Sequence, residues 1–547
     1  MCGIFGYLTK YANVDEQFIR KQFLRGQHRG PESTVWKKME TDYHFFMGFH
    51  RLAINGLNNK SNQPFDILGV QLVCNGEIYN YRELYKALKV KPRTGSDCEV
   101  IIYLYLMYGI EYTLNALDGV FSFILFDSNA QKIYISRDPY GVRPLYECEM
   151  SHGYAFGSEL KQLHLLGGKV RQFEPGTYKM YGINKTPVPF FSFYKTIEIP
   201  TLIETTRYTT FPFKTLNFGN INEVYTLIYD SLYEAVRKRT LGTTERRIAC
   251  LLSGGLDSST IAAMVNSFLE PGQLETYSIG LPDSVDLVCA KKVADYLGTK
   301  HTEIIVSEED FFNAIPEVIK VIESYDTTTV RASVGNYLIG KYITEKSDAK
   351  VIFNGDGSDE LTGGYLYFNS VPDTIEFDKE CKRLLREIHV FDVLRSDKCI
   401  SSNGLEPRTP FLDRGFVETY LSVPIDIRCS GLLDQPEKFL LRKSIEYSNP
   451  KLLPPDILWR TKEAFSDGVS GHSRSWYQII KERTIDIDIF IDPNINFNKP
   501  LTKEMEYYRS IFDNEYPCCS KIVPYFWMPK YTNATDPSAR TIKEYKP

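Results

Sequence analysis

The hydrophobic pattern of this chain changes period once, and that change dictates two domains of different class. From Met1 to about Lys195 the sequence offers short apolar or alternating runs, GIFGYL, FFMGFHRLAI, VQLVCNGEIY, GVFSFILFD, KIYISRD and YAFGSE, each bounded by turn residues. Such runs read as β-strands, with helices expected in RELYKAL and DCEVIIYLYLMYG. Residues 184–222 carry prolines at 187, 189, 200 and 212 and hold neither period, so the boundary falls there, giving domains 1–205 and 206–547. Val224, Leu227, Ile228, Leu232, Ala235 and Val236 then recur at helical spacing. After them RIACLL, ETYSIGL, HTEIIV and AKVIFNG alternate with VCAKKVADYL and VGNYLIGKYITEK, the pattern of a parallel sheet with crossover helices. Beyond Tyr367 the chain reads as helices and loops, and its Pro- and Asn-rich tail carries little signal of its own.

Charge and composition remove several function classes. Lys and Arg total 64 against 69 Asp and Glu, a net charge of -5, which argues against nucleic acid as a principal partner. The longest apolar runs, such as FSFILF, fall far short of the ~20 residues of a membrane span. The amino terminus lacks the basic-then-apolar pattern of a secretory signal, so no membrane role and a cytoplasmic location are expected. Eleven cysteines without a C-x-x-C pair, and eight histidines without metal spacing, suit reduced thiols rather than disulfides or zinc.

Cys2 follows the initiator methionine. Removal of Met1 would place a thiol and an α-amine on one residue, and an amine titrating at ~7.7–8.0 can serve as base for its own nucleophile. Around it stand CGIFGYL (2–8), HRGPE (28–32), HRLAI (50–54), NGEIYNY (75–81), GSDCEV (95–100), DGVFSFILFD (118–127), SRDPYGVRPLY (136–146) and FGSELKQL (156–163). Together these resemble the class II glutamine amidotransferases. The resemblance implies an α+β N-terminal-nucleophile fold, an αββα sandwich, and hydrolysis of glutamine through a thioester on Cys2. It also implies an oxyanion hole from Asn75 and the Gly76 amide, and a glutamine pocket of Arg51, Leu52, Ala53, Ile54, Asn75, Gly76, Glu77 and Asp97. In that pocket Arg51, Glu77 and Asp97 hold the charged end of glutamine, chemistry suited to a guanidinium and two carboxylates. Taken singly, Arg51 also fits a solvated charge, Asp97 a cap, and Asn75–Gly76 a hairpin turn.

SGGLDSS (253–259) sits between the strand candidate IACLL and the helix candidate STIAAMVNSFL. Glycines let the backbone approach a ligand and a helix start presents N–H groups, a geometry that favours phosphate. No G-x-x-x-x-G-K-[ST] occurs, so γ-phosphoryl transfer is not indicated. The string resembles the pyrophosphate loop of ATP-pyrophosphatases. Downstream, YSIGLPDSVD (277–286), DTTTVRAS (326–333), FNGDGSDELTGGY (353–365), NGLEPRTPFLD (403–413), LWRTKEAFSDGV (458–469), YFWMP (525–529) and DPSAR (536–540) resemble successive motifs of asparagine synthetases.

That resemblance implies an α/β parallel-sheet ATP-pyrophosphatase domain with a helical C-terminal part, using ATP and Mg²⁺. Leu252, Ser253, Gly254, Gly255, Asp257, Ser258, Ile279, Asn354 and Gly355 would contact ATP, and Asp257 and Asp359 would ligate magnesium. Thr328, Arg331, Glu406 and Arg408 would surround aspartate or pyrophosphate, Lys462 would neutralise phosphate charge, and Asp356 would assist the intermediate. Two departures bear on the acceptor: G-D-G-S-D-E replaces the commoner G-E-G-S-D-E at Asp356, and Asn403 and Pro407 alter the common WGVEARVPFLD. The implied reaction takes glutamine, aspartate and ATP to asparagine, glutamate, AMP and pyrophosphate, with a homodimer left open. The alternatives are a ligase acting on another carboxylate and a non-catalytic descendant that holds nucleotide or glutamine. The latter is expected to lose Cys2, SGGLDSS or Lys462, and all three are present.

Overall fold

A computed structural model describes the chain apart from residues 1, 11–12, 184–199, 213–214, 243–244, 434, 472, 490–494, 544 and 546–547. Met1 and the first part of the proline-rich boundary, residues 184–199, lie outside the described residues. The chain forms two compact units, Met1–Thr210 and Phe211–Pro547.

The first unit contains strands β1 (Gly3–Thr9), β2 (Ser33–Lys38), β3 (His44–Arg51), β4 (Phe65–Ile67), β5 (Val70–Ile78), β6 (Gly119–Asp127), β7 (Lys132–Arg137), β8 (Tyr146–Met150), β9 (Gly153–Gly157), β10 (Lys169–Gln172), β11 (Thr177–Gly182) and β12 (Thr201–Arg207). They make two six-stranded sheets, ordered β10-β8-β9-β1-β3-β2 and β12-β11-β7-β6-β5-β4. Successive side chains of a strand face opposite ways, and both sheets use this to bury two faces. Ile4 and Leu8 of β1, Phe45, Met47 and Phe49 of β3, and Val73, Ile124, Phe126, Ile133 and Ile135 of the second sheet form one cluster between the sheets.

The outer face of the second sheet packs Leu72, Cys74, Phe123 and Leu125 against Val100, Ile101 and Leu104. On the outer face of the first sheet, Phe5 and Trp36 meet Phe23 at ring separations of 5.8 and 5.3 Å. Phe23 belongs to helix α1 (Glu16–Leu24); α2 (Tyr81–Leu88) and α3 (Val100–Ala116) flank the other sheet. The layers are therefore helix, sheet, sheet, helix, as expected. Helix α3 breaks at Gly109, whose φ of 77° is open mainly to glycine. At the far end β12 pairs with β11, which carries the unit past residue 205 to Thr210.

The second unit is built on β13 (Arg247–Leu251), β14 (Glu275–Gly280), β15 (Lys300–Ile305), β16 (Ala349–Phe353) and β17 (Glu406–Arg408), in the order β15-β14-β13-β16-β17. Every adjacent pair is parallel. The three-residue β17 lies beyond Tyr367, where the sequence predicts only helices and loops. Pro407 lacks an N–H, which an edge strand tolerates. Around the sheet lie α4 (Ile221–Leu241), α5 (Leu256–Asn266), α6 (Val285–Leu297), α7 (Glu308–Ile322), α8 (Thr327–Lys346), α9 (Ser358–Thr362), α10 (Thr374–Glu387), α11 (Asp392–Ser401), α12 (Arg414–Ser422), α13 (Ile425–Arg428) and α14 (Phe439–Ser448).

Helix α4 buries Val224, Ile228, Leu232, Ala235 and Val236 of the stripe its spacing predicts, leaves Leu227 half-buried, and also buries Arg239, paired with Asp413 at 2.5 Å. The tail carries more structure than its composition suggests. Trp527 N donates to Asp326 at 2.7 Å, Asp536 pairs with Arg331, and Ser538 donates to Asp467 at 2.7 Å. Among the described residues no helix is long and apolar enough to cross a membrane.

Strand order places the ligand site. From β13 the sheet grows through β14 to β15 on one side and then switches to β16 and β17 on the other. Ligands of open α/β sheets bind at that switch, beyond the carboxyl ends of the strands. Here that means the β13–α5 and β16–α9 loops.

Candidate active sites

Cys2 stands at the start of β1, beside the end of β3 through the Gly3–His50 pairing. Its Sγ lies 3.7 Å from Leu52 O. Buried Arg29 fixes this corner, donating from Nε to Cys2 O at 3.1 Å and from Nη1 to Glu159 Oε1 at 2.6 Å. A continuous wall runs on from there. Leu52, Ala53 and Ile54 are buried, Asn55 Nδ2 donates to Glu77 Oε2 at 3.0 Å, and Ile78 N donates to Asp97 Oδ2 at 2.7 Å.

Asn75 is fully buried, and neither atom of its side-chain amide has a partner among the described residues. Buried amides nearly always pair, so this one is suited to a group that arrives from outside. A Cβ on Gly76 would sit 2.5 Å from Val120 O, which confines that position to glycine. Arg51 differs from a solvated charge: Nη1 donates to Asn58 O at 2.9 Å and Asn62 Oδ1 at 2.8 Å, and Nη2 to Gly56 O, so the guanidinium orders the 55–62 loop. His50 offers no general base. Burial pulls its pKa down to about 4, and its ring stacks on Phe23 at 4.0 Å with Nε2 3.0 Å from Phe23 O.

In the second unit the two loops at the strand switch enclose a cavity of about 160 Å³. Leu252 N donates to Tyr277 O at 2.8 Å, ending β13. Helix α5 then starts with Gly255 as N-cap and no side-chain capping bond, which leaves first-turn N–H groups for an anion. Ser253 and Ser258 hydroxyls lie 3.0 Å apart beside them. Gly254 serves packing rather than the cavity wall. Its φ is 71°, and a Cβ there would fall 2.4 Å from the α6 backbone at Cys289 and Ala290.

Across the cleft Asn354 Nδ2 donates to Ser396 Oγ at 2.7 Å. A Cβ on Gly355 would meet the Asp257 backbone at 2.8 Å, so glycine lets the two loops touch. Ile279 and Thr328 also line the cavity, and the buried Thr328 hydroxyl has no partner among the described residues.

Charges converge at the floor. Lys438 Nζ lies 2.5 Å from Asp257 Oδ2 and 2.6 Å from Asp359 Oδ1, while Lys462 Nζ lies 2.7 Å from Asp359 Oδ2 and 3.7 Å from Asp257 Oδ2. Burial alone would raise the Asp257 carboxyl, but the two ammonium groups outweigh it and hold Asp257 below its usual range. The same pairing holds Lys462 above its ordinary value against the opposing effect of burial.

Asp356 Oδ1 accepts from Arg395 Nη2 at 3.2 Å, yet burial still raises its pKa. Arg395 also binds Asp392 Oδ1 at 2.9 Å. Tyr365 OH lies 2.5 Å from Glu360 Oε1 and 3.0 Å from Asp392 Oδ2. Burial, then Asp392, push the Glu360 carboxyl well above its usual range, while Arg395 outweighs burial at Asp392 and holds that carboxyl below its usual range.

Asp257 and Asp359 supply the hard oxygens magnesium takes. Among the described residues no three His, Cys, Asp or Glu side chains are grouped to hold a metal ion.

One neighbouring carboxyl gives a pH prediction. Burial raises Asp467 from its ordinary 3.8 to about 6, with Ser538 donating to one oxygen and the other oxygen without a partner among the described residues. The folded chain then binds this proton more tightly than the unfolded one. Its stabilising contribution is complete below 3.8 and is lost as pH rises through about 6. Thermal melts of Asp467→Asn and the parent should therefore shift relative to each other in favour of the variant between pH 4.5 and 7.5.

Residues 1–210 match the family described as glutamine amidotransferase domain, and residues 227–374 and 369–495 match asparagine synthase. The asparagine synthetase [glutamine-hydrolyzing] of Gallus gallus is 40% identical over 575 residues, covering 100% of this chain and 99% of its own length. The Homo sapiens protein of the same name is 39% identical with the same coverage. The chain belongs to the glutamine-hydrolysing asparagine synthetases. A solved B. subtilis glutamine phosphoribosylpyrophosphate amidotransferase covers 56% of this chain and 91% of its own at 16% identity and a TM-score of 0.33. At that level the sheet topology, not the likeness, establishes the fold.

For an asparagine synthetase, three expected substrate residues stand elsewhere. Arg331 is buried against Glu504, at 2.8 and 2.6 Å, and Asp536, at 2.7 and 2.8 Å. Arg408 pairs with Glu406 at 2.9 Å on β17 and donates to Arg239 O. None of the three lines the cavity, because each buried charge is already matched inside the fold. Asn403 and Pro407 are equally remote: Asn403 Nδ2 donates to Cys399 O at 2.8 Å and closes α11, and Pro407 pairs along β16. Lys438, Arg395, Glu360, Tyr365 and Asp392 line the synthetase site or its floor without having been singled out from sequence.

Proposed function

We propose that this chain makes asparagine from aspartate and ATP with nitrogen taken from glutamine. The observation that carries the reading is the cavity at the strand switch, where uncapped α5 amides face two carboxylates and two lysines. That combination suits a triphosphate rather than a simple sugar or peptide.

In the first unit, with Met1 removed, the Cys2 α-amine takes the thiol proton and Sγ attacks the carboxamide carbon. The Asn75 amide and the Gly76 N–H stabilise the oxyanion, and Glu77 and Asp97 hold the substrate ammonium while Arg51 fixes the loop at its charged end. The C–N bond breaks as the nitrogen regains a proton, ammonia leaves, and water hydrolyses the thioester to glutamate. Removing one oxyanion donor typically costs about 10²–10³ in kcat. Asn75→Ala should therefore slow glutamine hydrolysis by that factor while Cys2 stays reactive to iodoacetamide, both read on the full chain.

In the second unit a β-carboxylate oxygen of aspartate attacks the α-phosphorus and pyrophosphate leaves. The α5 amides, Ser253 and Ser258 cradle the departing phosphates, Leu252 and Ile279 pack the base, and Lys462 neutralises the phosphate charge. Asp257 and Asp359 would hold magnesium, which when bound supplies further neutralisation of the phosphate oxygens. Ammonia then attacks the acyl carbon, Asp356 takes its proton, and AMP leaves. The raised pKa of Asp356 suits it to accept that proton.

Aspartate as acceptor gains support from the remoteness of Asn403 and Pro407, since the changed positions do not touch the cavity. The cytoplasm as the working location is supported by eleven free cysteines. The test supplies aspartate, ATP, Mg²⁺ and ¹⁵N-amide glutamine, and follows products by mass spectrometry. Labelled asparagine with equimolar AMP is expected; glutamate without asparagine, or ADP in place of AMP, overturns the reading.

A further inference from the structure

We propose that Lys438 is a resident counter-cation that withholds Asp257 and Asp359 from divalent metal until a triphosphate enters. The inference rests on the reading of those two aspartates as magnesium ligands. Its basis is the inequality between the two lysines at the site floor. The side chain of Lys438 is 1% exposed and reaches both carboxylates at 2.5 and 2.6 Å, whereas that of Lys462 is 18% exposed and closely binds only Asp359. Lys462 is the cation free to turn toward phosphate, and Lys438 is the one built in.

Its placement is held at several points. Lys438 occupies the left-handed region, φ 58°, immediately before α14, a conformation a non-glycine residue adopts at a cost. A Cβ on Gly364 would fall 2.0 Å from Lys438 Cε, so the lysine stem runs in a slot that only glycine leaves open. Arg442 ties this turn to the strand of chain bearing Lys462: Nε donates to Glu437 O at 2.8 Å, Nη1 to Leu458 O at 2.5 Å and Nη2 to Arg460 O at 2.9 Å.

Two carboxylates and two ammonium groups sum to no net charge. A divalent ion added to that set alone would meet a like charge already bound to both of its ligands, in a partly desolvated site where such repulsion is strong. A triphosphate reverses the balance by bringing several negative charges and drawing Lys462 away. Metal then loads together with nucleotide rather than ahead of it. The role is one of positioning, since Lys438 acts through the two aspartates.

The test titrates Mn²⁺ into the full chain without nucleotide and counts free ion by electron paramagnetic resonance. Removing one adjacent positive charge should strengthen Mn²⁺ binding about tenfold or more in Lys438→Met. Lys438→Arg should behave as the parent, and adding Asp257→Asn to Lys438→Met should erase the gain. A purely structural lysine moves the melting temperature and leaves nucleotide-free Mn²⁺ affinity unchanged or weaker, and that result overturns the inference. The same titration with ATP, without aspartate, separates the two readings. Loss of Mn²⁺·ATP binding in Asp257→Asn and Asp359→Asn upholds the metal ligands even if Lys438 fails, whereas unchanged binding removes both. Should Lys438→Met lack a cooperative melt, Lys438→Gln carries the comparison.

Discussion

Lys462→Met should reduce asparagine formation from glutamine and from free ammonia alike by about 10³-fold or more, while glutamine hydrolysis without ATP should continue. Lys462 is the outer ammonium of the four-charge cluster, 2.7 Å from Asp359 and lining the cavity. Charge grows on the pyrophosphate as the aspartyl oxygen displaces it, and a preplaced cation in a partly desolvated cleft stabilises that charge without reorganising. The methionine keeps most of the stem volume and removes only the ammonium. The informative readout is exchange of labelled pyrophosphate into ATP in the presence of aspartate, which reports adenylation without any nitrogen source. Exchange at the parental rate would place Lys462 outside the adenylation step. Lys462→Arg should recover part of the exchange, since it restores the charge with a different reach.

Cys2→Ser separates the nitrogen sources in the opposite sense. A hydroxyl is far harder for an α-amine to deprotonate than a thiol, so glutamine hydrolysis should fall by about 10³-fold or more. Synthesis from added ammonium should persist, because nothing in the cavity of the second unit depends on the Cys2 thiol. Retained glutamine-dependent synthesis in the variant would remove Cys2 from the chemistry. His50 is not poised to rescue it, since burial lowers its pKa to about 4 and its ring is stacked on Phe23 with Nε2 3.0 Å from a backbone carbonyl.

What could be read from the sequence was what is local. The β13 strand, the glycine loop and the α5 helix are contiguous, so period, turn chemistry and helix start appear within one short stretch, and the structure places them at the strand switch. The alternating runs showed strands with helices over them, while the αββα layering came from the resemblance to the amidotransferases. Lys438 was not legible, because its partner Asp257 lies 181 residues away. Arg331 was placed near substrate by the resemblance, and no local pattern shows the acids it meets. The acids that neutralise it, Glu504 and Asp536, follow 173 and 205 residues later in a tail with no period of its own. Long-range charge matching leaves no mark on local sequence, and it decides which buried cations remain available to a ligand.

The side-chain amide of Asn75, unpartnered among the described residues, sets stability against turnover in the first unit. A buried polar group without a partner costs a fold about 1–3 kcal/mol, a large part of the margin by which a domain stays folded. An apolar side chain of similar size would relieve that penalty and silence the hydrolysis. Natural variation that hardens this domain against heat should therefore accumulate away from the Asn75–Gly76 step, and a more stable version obtained there would be an inactive one.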